Sequence, residues 1–113
     1  MYLTDENYLT EIENCFLKNQ TVICLISDNP KCENCVKMRF HIEELCKIEP
    51  ENDLQFFYVD YVKYDILQNY HQLNNLNVYP KSIVFYGSWD KKEFFEGAIP
   101  VKTLLEINRK SKS

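Results

Sequence analysis

Five consecutive apolar residues, Val22-Ile23-Cys24-Leu25-Ile26, flanked by Thr21 and Ser27, constrain this chain more than any other segment. Successive side chains of a strand point to opposite faces, so a strand of this composition is apolar on both. Such a strand is stable inside a sheet covered by helices on both sides. The same run falls far short of the ~20 apolar residues that a membrane-spanning helix needs. With 113 residues there is room for one domain, here read as residues 1–113 with a core at about 5–108 and a basic tail at 109–113.

The rest of the chain supplies the covering layers. Tyr8, Ile12, Cys15 and Phe16 recur at helical spacing, predicting a helix over 5–18 that Thr4 or Asp5 caps. After Asp28-Asn29-Pro30 the segment Cys32–Ile48 reads as a helix with Met38, Ile42 and Leu45 inward, ended by Pro50. Leu54–Asp60 is a second strand, and 64–76 reads as a helix with Ile66, Leu67, Tyr70 and Leu73 on one side. Ser82–Tyr86 and Lys92–Glu96 form a hairpin about Gly87-Ser88-Trp89-Asp90. Trp89, at its tip, is expected to fold onto its own sheet. Pro100 then opens a last helix, with Val101, Leu104 and Leu105 inward. The order α-β-α-β-α-β-β-α, with right-handed crossovers, predicts an α/β fold: a four-stranded mixed sheet with helices on both faces.

Composition narrows the chemistry. A net charge of −4 argues against a nucleic-acid partner held on a basic face. Two glycines, Gly87 and Gly97, exclude a glycine-rich phosphate cradle. Of the two histidines, His41 reads as a partly buried helix residue and His71 as a surface residue. Five cysteines cannot all pair within one chain. Residues 1–6 show neither the basic nor the apolar region of a secretion signal, so a reducing cytoplasm is expected. Cys15, Cys24 and Cys46 sit inside apolar patterns and read as small core residues.

Cys32-Glu33-Asn34-Cys35 stands apart. It directly follows the central strand and opens a helix. The first helical turn offers unpaired N–H groups and partial positive charge, both of which favour a thiolate. Lys31 adds a cation and Glu33 opposes it. Spacing of i, i+3 puts both sulfurs on one side of the turn, close enough to bridge. Cys32, at the outer end, is the expected attacking thiolate, and Cys35 the thiol that resolves the mixed disulfide. A metal reading of Cys32, Cys35, His41 and Cys46 fails on reach, because a helix places Cys46 about 16 Å from Cys35. No metal and no cofactor is expected.

With its landmarks in this order, the chain resembles the thioredoxin family over residues 5–108. The landmarks are the strand Thr21–Ser27, the Lys31-Cys32-Glu33-Asn34-Cys35 helix start and the strand ending Val59-Asp60. Val78-Tyr79-Pro80 and Glu96-Gly97-Ala98 complete them. The resemblance implies a cis bond before Pro80, a Tyr79 backbone that pairs with an extended substrate segment, and room for that segment beside Gly97. It implies a thiol–disulfide oxidoreductase acting on protein disulfides, recycled by a reductase or a small thiol, and working as a monomer.

The departures are local. The family has Trp before the first cysteine and Gly-Pro between the two; here stand Lys31 and Glu33-Asn34. The family's buried acid falls on Ile26, its accompanying lysine on Phe56, and a helix proline on Phe40. A buried acid would take the proton of the resolving thiol. Its loss implies slower exchange than in a typical member. It also supports a rival reading, a binding or adaptor module of the same fold whose dithiol is vestigial.

Overall fold

The computed structural model describes residues 2–4, 6–27, 32–60, 70, 72–73 and 78–112. The expected helix over 64–76, the break at 28–30, Lys31 and His71 lie wholly or largely outside them. Within them the elements run β1 (Tyr2–Leu3), α1 (Tyr8–Leu17), β2 (Thr21–Ser27), α2 (Glu33–Ile48) and β3 (Leu54–Asp60). The hairpin strands β4 (Lys81–Tyr86) and β5 (Lys92–Glu96) and the helix α3 (Val101–Ser111) follow.

The sheet has five strands in the order β1-β3-β2-β4-β5. β2 pairs in parallel with β3 along its whole length and antiparallel with β4, so it lies at the centre. β4 and β5 pair antiparallel, as a hairpin must. The mixed sheet agrees with the sequence reading, except for its strand count. β1 is a fifth strand, joined in parallel to the outer edge of β3 through Tyr2–Tyr58 and Leu3–Val59. Two residues are too few for an alternating pattern to register. α1 also starts later than expected, at Tyr8, after a turn in which Thr4 and Asn7 exchange hydrogen bonds.

β2 divides the core. Val22, Cys24 and Ile26 pack on one face with Ile12 and Cys15 of α1, Phe57, Val59 and Leu73. Ile23 and Leu25 pack on the other with Met38 and Leu45 of α2 and Leu104 and Ile107 of α3. These five central residues of β2 are at most 4% exposed, which is why the run carries no polar residue. Trp89 folds back between Phe16 and Phe85, with ring centroids at 5.3 and 5.1 Å in edge-on contacts. Cys46 departs from its expected place and is exposed. At 3.6 residues per turn, Leu45 lies roughly 20° from Met38 around the helix but Cys46 roughly 80° away, off the buried stripe.

Candidate dithiol site

The helix α2 begins at the cysteine pair. Cys32 occupies the N-cap, with extended backbone (φ −64°, ψ 117°), and its Sγ accepts the Cys35 N–H at 3.2 Å. Sulfur thus does for this helix what a serine or aspartate oxygen commonly does. Cys32 and Cys35 are joined as a disulfide across a Cα–Cα distance of 5.2 Å, within the ordinary range for such bonds. Both are half-buried, so accessibility does not rank them. Glu33 is exposed in the first turn and Asn34 is half-buried. A thiolate formed at Cys32 would lie at the positive end of a 16-residue helix dipole.

The second wall is built by β4. Lys81 stands opposite Ile26 in the β2–β4 ladder, so Pro80 lies beside the carboxyl end of β2, from which the chain runs on to Cys32. Pro80 is buried, and the Tyr79–Pro80 peptide bond is cis. The Pro80 carbonyl accepts the Gly97 N–H at 2.8 Å, which brings the end of β5 to the same place. Gly97 has φ +74°, a region that disfavours any side chain. A Cβ there would also meet Val78 Cγ1 at 3.5 Å. Tyr79 is half-buried, and the Lys81 ammonium sits 4.8 Å from the centre of its ring.

Sequence reasoning missed how α2 is tied to this wall. Met38 Sδ accepts the Ile99 N–H at 3.3 Å, and His41 Nδ1 meets the Ile99 carbonyl at 2.8 Å. No local pattern shows a partner 58 residues away. Position 26 carries an isoleucine at 1% exposure, packed among apolar side chains, and Phe56 packs on the opposite face. Neither offers a proton acceptor.

Two of the remaining cysteines, Cys15 and Cys24, have raised thiols. Burial pushes the Cys24 thiol up to about 12, with Cys15 adding a smaller push. Burial also raises Cys15, against the pull of Lys18. Both stay protonated near neutrality and are poor nucleophiles. Among the described residues no cluster of three or more His, Cys, Asp or Glu side chains is placed to hold a metal ion. No helix among them is long and apolar enough to cross a membrane.

No protein-family model matches the sequence, and no curated protein matches it significantly. Solved structures do match it over nearly the full chain. The oxidised form of mitochondrial thioredoxin 3 from Saccharomyces cerevisiae is 22% identical, with a TM-score of 0.64, covering 96% of this chain and 93% of that one. The germline-specific thioredoxin Deadhead from Drosophila melanogaster is 15% identical, with a TM-score of 0.67 and coverage of 94% and 93%. A mutant thioredoxin from Halobacterium salinarum is 15% identical, with a TM-score of 0.68 and coverage of 100% and 90%.

Proposed function

We propose that this chain, which has the thioredoxin fold, works as a thiol–disulfide oxidoreductase on protein disulfides. One observation carries the reading: two cysteines at the N-terminus of α2, one at its N-cap and one in its first turn, bonded to each other, with Cys32 Sγ already accepting a helix N–H. In the reduced chain the Cys32 thiolate attacks one sulfur of a substrate disulfide. A mixed disulfide forms and the other substrate sulfur leaves as a thiolate. Cys35, deprotonated, then attacks Cys32 Sγ and displaces the second substrate thiolate. The substrate gains two electrons and, with solvent protons, two thiols. The chain is left with the Cys32–Cys35 disulfide, which a reductase or small thiol returns to the dithiol.

The first helical turn stabilises the attacking thiolate. Lys31 adds a neighbouring positive charge in the sequence, and Glu33 and Asn34 set the poise from between the sulfurs. Tyr79 and Pro80 form the wall along which an extended substrate segment pairs, and Gly97 leaves that segment room. Ile26 leaves deprotonation of Cys35 to water, Glu33 or the substrate. The chemistry needs no metal and no organic cofactor, and the chain works as a monomer. Three unbonded cysteines support a reducing compartment, which we take to be the cytoplasm.

The apolar residues at positions 26 and 56 favour a second reading, an adaptor with an idle dithiol. Reduction of a generic protein disulfide by the wild type and by Cys32→Ser separates the two. Turnover that vanishes in Cys32→Ser supports the oxidoreductase. Equal background rates in both would leave the adaptor.

A further inference from the structure

Ile99 lies between β5 and α3, 1% exposed, and side chains of α2 take up both of its backbone polar groups. Its N–H donates to Met38 Sδ at 3.3 Å. Its carbonyl faces His41 Nδ1 at 2.8 Å. A carbonyl offers only lone pairs, so Nδ1 carries the ring proton and donates. Thioether sulfur is a weak acceptor, which makes the histidine bond the stronger of the two.

The spacing is informative. Cys35, Met38 and His41 follow one another at intervals of three, each roughly 60° around α2 from the one before, so both clamps lie within about two turns of the second sulfur. Ile99 in turn stands two residues from Gly97, whose N–H holds the Pro80 carbonyl. One continuous set of contacts runs from the dithiol helix through His41 and Ile99 to Gly97 and Pro80.

We infer that His41 is a positioning residue for protein substrates. Its bond to the Ile99 carbonyl sets the gap between the dithiol helix and the Pro80–Gly97 wall, the gap that an extended segment must enter. The inference rests on the oxidoreductase reading and deepens it, because it separates two classes of substrate. A small disulfide needs the two sulfurs but neither wall, whereas a protein disulfide needs both walls. An apolar residue at position 41 fills the same half-buried space and leaves the loop untied. Asparagine keeps a donor near the place of Nδ1.

The test compares wild type, His41→Leu and His41→Asn on a protein disulfide and on a small aromatic disulfide. In His41→Leu, KM for the protein disulfide should rise roughly fivefold, the loss expected for one hydrogen bond. Its kcat, and its rate with the small disulfide, should stay unchanged, and His41→Asn should restore KM. Amide exchange at Gly97 and Ile99, read without turnover, should quicken in His41→Leu and stay slow in the other two. An unchanged KM, an equal loss on both substrates, or wild-type exchange in His41→Leu would each overturn the inference. A wild type that reduces neither disulfide defeats the oxidoreductase reading instead. The exchange rates then decide whether the clamp exists.

Discussion

Ser82 is 0% exposed in the second position of β4, and its Oγ has no hydrogen-bond partner among the described residues. A hydroxyl removed from water and left unpaired costs stability, whereas an apolar replacement of similar shape does not. Ser82→Ala is therefore expected to stabilise the fold by roughly 0.5–1 kcal/mol, read from the urea midpoint. A loss would mean the hydroxyl has a partner after all. The free cysteines differ from one another in a way that alkylation can read. Cys46 is exposed, while Cys15 and Cys24 are buried and held protonated. Iodoacetamide should modify the native oxidised protein at Cys46 alone and reach the other two only after denaturation. Labelling of Cys24 under native conditions would contradict the packing of β2.

Three elements meet at Glu93 of β5. Its carboxylate accepts from Lys110 of α3 at 2.8 Å and from the Tyr86 hydroxyl of β4 at 2.6 Å. The Lys110 and Tyr86 hydrogen bonds hold Glu93 below the usual carboxylate range, against a smaller opposing effect of burial. Burial, then the bond to Glu93, pushes Tyr86 up. A lowered folded value means that the network contributes fully above the unfolded value of 4.5 and fades as pH falls through the folded one. The Lys110 and Glu93 side chains are 59% and 39% exposed, so solvent screens them. Glu93→Gln should cost about 0.5–1 kcal/mol at neutral pH. That difference should shrink as the pH is lowered well below 4.5. A constant difference from pH 7 down to strong acid would show that charge plays no part.

At the scale of the molecule, the sheet separates two apolar halves and leaves no place for a charge at position 26. Ile26→Asp, which puts an acid into the buried end of β2, should cost on the order of 3 kcal/mol or more near neutrality. Burial would raise the new carboxyl, so stability should recover as the pH falls and it takes up a proton. A variant as stable as wild type at pH 8 would mean that water reaches this position. Much of this architecture was legible beforehand. β2 announced itself because both its faces are buried, and the dithiol because its cysteines open the helix that follows the central strand. The hairpin followed from Gly87 and its flanking strands. What escaped was of other kinds. β1 is too short to carry a period, and Cys46 lies just off a stripe that a looser reading includes. His41 and Ile99 find each other only through the fold.

The far end of α3 has a practical consequence. Ser111 borders a shallow cleft of about 500 Å³ together with Asn19, Thr21, Gly87 and Lys110. Thr21 opens β2 and the chain leaves its other end for Cys32, so the length of that strand, roughly 20 Å, separates the cleft from the sulfurs. A dye or a bead attached at residue 111 would hang from the opposite pole. Molecules anchored to a solid support in this way would all present their dithiol outward, in one orientation.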